Sequence, residues 1–164
     1  LRPTDLGEIL AGAARLFDLE CKRNGVSIKV DVAPGLPKVN VGPVLIERAL
    51  LNVVSNAVKF SPKGEVVSLS ARVLDSGSVC ITVQDRGPGM SASDIELAME
   101  PFRQTASSEK LAWERPHIRG TGLGLPLAKG LIEANRGSFM LKSQVGAGTT
   151  AAITFPVSQI VSSA

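Results

Sequence analysis

Between Gly42-Pro43 and Pro62 runs a stretch in which Ile46, Leu50, Val53, Ala57 and Phe60 recur at steps of four, three, four and three. That period gathers them on one stripe of an α-helix, and such a stripe has to be laid against another element. Proline suits the first turn, where its missing N–H would have no partner anyway. Pro62 disfavours helical geometry in the residue before it, so the helix stops near Ser61.

The segments around this helix supply what it packs on. Residues 5–22 read as a second amphipathic helix, with Leu6, Ile9, Leu10, Ala13, Leu16 and Phe17 on its stripe and Asp5 and Glu8 spaced as in a capping box. Asn24-Gly25 turns the chain into an alternating strand at 27–32, followed by a loop at 33–37 and a short strand at 38–41. Strands at 65–74 and 79–84 form a hairpin through Asp75-Ser76-Gly77-Ser78. A short helix at 91–99 begins on a serine cap, a helix occupies 122–134, and strands at 138–143 and 149–155 follow. No internal repeat is present. The order predicts one α/β domain over residues 1–164, a two-layer sandwich with a mixed, mostly antiparallel sheet. Helices cover one face of that sheet and leave the other open.

Composition agrees with a single soluble domain. A chain of 164 residues, 44% hydrophobic and 20% charged, can bury an ordinary core and is not a disordered tail. The net charge of +3 comes without a Lys/Arg run, which argues against nucleic acid as a partner. No apolar run approaches the ~18 residues of a membrane span, so no direct membrane insertion of this domain is expected. Cys21 and Cys80 lie far apart among apolar residues, without metal-ligand spacing, and are expected to be two reduced core thiols. The chain begins at Leu1 rather than Met, from which we expect a piece of a longer protein, cytoplasmic here and with room for a membrane anchor elsewhere.

Four short motifs carry chemistry. On the long helix, Asn52, Asn56 and Lys59 step by four and three along a face beside the apolar stripe. Asparagine costs a helix about 0.7 kcal/mol relative to alanine, so a pair one turn apart suggests either polar work at a cavity edge or hydrogen-bonded core amides. Asp85-Arg86-Gly87-Pro88-Gly89-Met90 follows a strand directly. A carboxylate there can accept from an exocyclic amine while the glycines let a flat ligand approach the backbone, although the motif alone is also a plain turn. Gly120-Thr121-Gly122-Leu123-Gly124-Leu125 opens a helix, and glycines at a helix start present free N–H groups to an anion such as phosphate. A dinucleotide-binding loop would need different glycine spacing directly after a strand, and a Walker A loop is absent. Gly146-Ala147-Gly148-Thr149 precedes the last strand and by itself would pass for a hairpin turn.

In this order and at these separations, the four blocks resemble the ATPase/kinase superfamily shared by gyrase, the Hsp90 chaperones, MutL and the histidine kinases, over about residues 40–156. Asn52-Val53-Val54-Ser55-Asn56-Ala57 looks like its N box, the Asp85 motif its first glycine box, Glu100-Pro101-Phe102 its F box, and the run from Gly120 its second glycine box. The resemblance implies the Bergerat-type ATP-binding fold, with ATP and Mg²⁺ as cofactors. Asn56 would then ligate Mg²⁺ through its amide oxygen and Lys59 would contact phosphate. Asp85 would bond the adenine amino group, with Gly87, Gly89, Phe102 and Thr149 completing the pocket. Gly120, Thr121, Gly122, Leu123, Gly124 and Leu125 would wrap the triphosphate.

One position separates the branches. The ATP-hydrolysing members carry a glutamate four residues before the Mg²⁺ asparagine, as base for the attacking water; here Asn52 stands there, an amide that cannot take that proton. Glu47 is no substitute, since five residues before Asn52 it is turned about 140° around the helix. The resemblance is therefore to histidine kinases, whose nucleophile is an imidazole on a separate dimerisation domain and whose downstream partner is a response regulator. Residues 103–121, aperiodic and carrying Arg103, Lys110, Arg115 and Arg119 against Glu109 and Glu114, are expected to form a lid or a solvated loop. Arg119 is the candidate for the γ-phosphate. His117 lies beside Pro116 without the acidic neighbour of the family's acceptor site, so the acceptor histidine is expected outside this chain. The run from Gly124 to Lys129, with Glu133-Ala134-Asn135-Arg136, resembles alphaproteobacterial cell-cycle sensor kinases. Two rivals share the motifs: a pseudo-kinase that binds ATP without transfer, and a serine kinase of the anti-sigma-factor type.

Overall fold

The computed structural model describes residues 1–100 and 124–162. In chain order these form β1 (Arg2–Thr4), α1 (Leu6–Leu16), α2 (Asp18–Asn24), β2 (Ser27–Val32), β3 (Val39–Val41), α3 (Pro43–Phe60), β4 (Val66–Val73), β5 (Val79–Asp85), α4 (Ala92–Ala98), α5 (Gly124–Ala134), β6 (Ser138–Ser143), β7 (Thr149–Phe155) and a 3-10 turn at Val157–Gln159. Five strands make the main sheet, in the order β2-β4-β5-β7-β6. β2 runs parallel to β4 and every other pairing is antiparallel. The mixed, mostly antiparallel sheet is the one expected.

Side chains on the strands alternate between two environments. Val67 and Leu69 of β4, Ile81 and Val83 of β5, and Ile153 and Phe155 of β7 are buried with Ile46, Leu50 and Val53 of α3 and Leu6 and Leu10 of α1. Fully burying one such side chain stabilises the fold by about 1.5–3 kcal/mol, so this layer accounts for where α1, α3 and α5 lie. The alternate positions, among them Ser68, Ser70, Thr82, Thr150 and Thr154, are short, polar and partly exposed. α3 is the central helix and packs on α5, α1 and β5.

Three expectations change. The helix expected over 5–22 is two helices: Phe17 leaves helical geometry at φ −94°, ψ 5°, while its N–H still bonds to Ala13. The new axis carries Cys21 into the core, whereas Leu16 and Leu19 both remain 62% exposed. At its start Asp5 accepts from the Glu8 N–H at 3.2 Å, but the reciprocal capping box belongs to α4, between Ser91 and Asp94. β1 was not anticipated; it pairs antiparallel with β3 in a separate two-stranded sheet, extended by a bridge from Val39 to Ile160. Cys21 and Cys80 are both free and buried, as expected; the Thr154 hydroxyl lies 3.6 Å from the Cys80 Sγ, on the face of the sheet opposite Val79 and Ile81. Strand alternation explains this, because Val79 and Ile81 on either side take the core face.

Candidate functional site

Three neighbouring strands put Ser143, Thr149 and Asp85 in one cross-strand row, Ser143 opposite Thr149 and Thr149 opposite Asp85. Asp85 ends β5 and is 7% exposed. Its Oδ1 accepts from the Gly87 N–H at 2.8 Å and from the Thr149 N–H at 3.3 Å. Burial pushes the carboxyl above its ordinary range, and those two backbone hydrogen bonds pull in the opposite direction. Both bonds are made by one oxygen, and Oδ2 takes part in neither.

The glycines around Asp85 are there because three segments of chain meet. A Cβ on Gly87 would stand 2.8 Å from the Phe60 carbonyl oxygen, so the loop after β5 is pressed against the last turn of α3. Gly89 has φ 73° and a Cβ there would strike the Gln144 carbonyl; Gly148, at φ 80°, would strike the Asp85 carbonyl. The Gly146 N–H donates to the Pro88 carbonyl at 2.7 Å. The first and last glycine motifs, far apart in sequence, thus form one floor with Asp85 at its centre.

α3 borders that floor. Asn52, Asn56 and Lys59 are half-buried, next to buried Val53 and Ala57. The Asn52 Nδ2 is inaccessible to water and has no hydrogen-bond partner among the described residues. Burial lowers the pKa of Lys59, while the charge of Glu20 on α2 acts to raise it. Gly124, the first described residue of α5, is exposed, and Leu125 is 7% exposed in the core. Phe102, Arg119, Gly120, Thr121, Gly122 and Leu123, with the expected lid, lie outside the described residues.

Two positions were missed by sequence reasoning. Ser143 bonds to both glycine motifs, and its only signal was a short polar residue at a strand end. Asn135 accepts from the Gly42 N–H at 2.7 Å and donates to the Leu131 carbonyl at 2.8 Å, capping α3 from across the fold. A glycine N-cap that has no side chain of its own is the hint that was available.

Residues 42–159 match the family model described as histidine kinase-, DNA gyrase B-, and HSP90-like ATPase. The chain belongs to this family. Within it, the domain is of the ATP-binding catalytic type found in sensor histidine kinases. The cell-division control histidine kinase PdhS of Brucella ovis is 36% identical over 159 residues, 95% of this chain and 15% of that protein. PdhS of Brucella abortus matches to the same extent. The chain thus spans about 15% of the length of these curated relatives. Among solved structures, full-length ShkA in complex with AMPPNP superposes with a TM-score of 0.82 at 28% identity, over 100% of this chain and 32% of that one. The mycobacterial sensor histidine kinase MprB gives 0.75 at 26% identity, over 94% and 96%. Among the described residues no helix is long and apolar enough to cross a membrane.

Proposed function

We propose that this domain binds Mg²⁺–ATP and transfers the γ-phosphoryl group to a histidine on a separate dimerisation domain of a longer, cytoplasmically acting sensor kinase, from which a response regulator is then charged. The observation that carries the reading is a buried Asp85, with one oxygen held by the backbone and the other without a hydrogen bond among the described residues, beside a helix whose hydrolytic position is the neutral Asn52. Asp85 Oδ2 accepts an N–H of the exocyclic amine, and a base without that amine leaves a buried acceptor unpaired. The AMPPNP bound in the ShkA structure is a nucleotide of the class such a floor would take.

Mg²⁺ fits the residues present. Among the described residues no three His, Cys, Asp or Glu side chains converge, so a metal here needs phosphates and water for most of its shell. That is how Mg²⁺ is usually held at nucleotide sites, with one or two protein oxygens, and the Asn56 amide can supply one. The ion, when bound, neutralises charge on the phosphates. Lys59 and Arg119 add fixed positive charge, and the N–H groups of the second glycine box orient the triphosphate. Asn52 offers no base to water, so hydrolysis stays slow and the group is kept for an incoming imidazole. The N–P bond forms as the bond to the bridging oxygen breaks, and ADP leaves with that electron pair.

Mixing the domain with γ-labelled ATP and the dimerisation domain of the full-length kinase tests this. Label should move to a histidine of the added domain, none should stay on His117, and release of free phosphate should be slow. Nucleotide bound by calorimetry but never transferred would reduce the domain to an ATP sensor.

A further inference from the structure

We propose that Ser143 is the positioning residue of the base pocket, and that it sets the polarity of the Thr149 hydroxyl. The inference rests on the adenine reading of Asp85. Ser143 Oγ donates to the Gly148 carbonyl at 2.9 Å, accepts from the Met90 N–H at 2.7 Å, and lies 2.8 Å from the Thr149 Oγ1. A serine hydroxyl has one proton and two lone pairs. Its proton is given to Gly148 and one lone pair is used by Met90, so the remaining lone pair can only accept the proton of Thr149.

Two consequences follow from that saturation. Ser143 fastens the loop after β5, through Met90, to the turn before β7, through Gly148. The same turn carries the Thr149 N–H that holds Asp85 Oδ1. The Thr149 hydroxyl, with its proton turned to Ser143, presents only lone pairs on its other side. Asp85 Oδ2 is also an acceptor. These two side chains therefore offer acceptors alone, which suits an amine and opposes a carbonyl at the same place on the base. Without Ser143 the Thr149 proton is free to turn and donate, and the discrimination between ATP and GTP weakens.

The test measures Mg²⁺–ATP and Mg²⁺–GTP affinity by calorimetry for the wild-type domain, Ser143→Ala and Ser143→Thr, with a thermal melt for each. Removing one such hydrogen bond is expected to weaken ATP about tenfold and GTP less, so the ATP/GTP ratio falls in Ser143→Ala. Ser143→Thr keeps the hydroxyl and should keep the wild-type ratio. Transfer at saturating ATP should be unchanged, the loss appearing in KM and not in kcat. An unchanged ratio in a folded Ser143→Ala overturns the proposal, as does an equal loss for both nucleotides, which a purely structural role would give. If Ser143→Ala does not fold, Ser143→Cys replaces it, since a thiol is a weak donor and acceptor; a Cys ratio equal to that of Thr then overturns it. A wild-type domain that does not prefer ATP sinks the adenine reading itself, whatever the variants do.

Discussion

The two ends of the site are built on opposite plans. At the proposed base end the protein fixes the geometry with its own hydrogen bonds and leaves Asp85 Oδ2 to the ligand: Asp85 Oδ1 holds two N–H groups, and the Ser143 hydroxyl uses its proton and both lone pairs. At the proposed phosphate end, on α3, Asn52 Nδ2 has no partner among the described residues and burial lowers the pKa of the Lys59 ammonium. A satisfied network fixes geometry in advance and reads a ligand's shape and donor pattern. An unsatisfied face is completed by its ligand, and costs stability until the ligand arrives. Selectivity should therefore reside at Asp85 and affinity for charge on α3, and the substitutions below are ordered to strain that division.

Asp85→Asn should have the largest effect. The amide can still accept the two backbone N–H groups, but it turns a donor toward an adenine amine that is itself a donor. ATP affinity should fall by about ten- to a hundredfold, the scale of a hydrogen bond to a charged group, while GTP loses little. The empty domain should become more stable at neutral pH. Burial raises the folded-state pKa of Asp85, so the native state holds more protons between the ordinary value and the raised one, and stability falls as pH rises through that window. Removing the charge removes that dependence. An Asp85→Asn domain that binds ATP normally, or melts lower than wild type at pH 7, breaks the account of the base end.

Lys59→Met tests the other plan. Loss of a cation facing phosphate should weaken Mg²⁺–ATP about tenfold without changing the ATP/GTP ratio. The sign of the stability effect follows from its lowered pKa: the unfolded chain binds more protons in the window below the ordinary lysine value, so stability rises with pH there and neutral pH carries the cost. The empty Met variant should melt higher at pH 7, with the advantage shrinking toward alkaline pH. A change in nucleotide ratio would show that the two ends are not separable.

How much of this the sequence carried depended on how local each signal was. Asp85 was legible because a strand end and two glycines lie within five residues, and the α3 face because its period is internal to one helix. The open sheet face followed from strand alternation. The break at Phe17 was hidden, since apolar spacing continues through it while the helix axis does not. β1 is three residues long and includes Pro3, too short to show a period. Ser143 and Asn135 owe their roles to partners in other elements, and nothing beside them in sequence announces those partners.

Asn135 and Asn52 bring the same contrast down to two side chains of one type. Asn135 is 1% exposed with its amide oxygen and nitrogen both engaged, so Asn135→Ala strands the Gly42 N–H at the start of α3 and should cost about 1–2 kcal/mol, as for loss of a helix cap. Nucleotide affinity should change little if the helix stays in place.

Asn52→Ala should move stability least, and in the opposite direction. Its buried Nδ2 has no described partner, so removing the amide breaks no described bond and leaves no stranded group behind. Alanine is also the better helix former, by about 0.7 kcal/mol, and position 52 lies well inside α3. The empty domain should therefore gain up to about 1 kcal/mol in denaturant unfolding, while Mg²⁺–ATP binding weakens, since the amide that ATP would have satisfied is gone. Slow phosphate release should be unchanged, because an amide was never the base for water. A loss of stability instead would mean that Asn52 is bonded within the protein, and the phosphate end would then be no less satisfied than the base end.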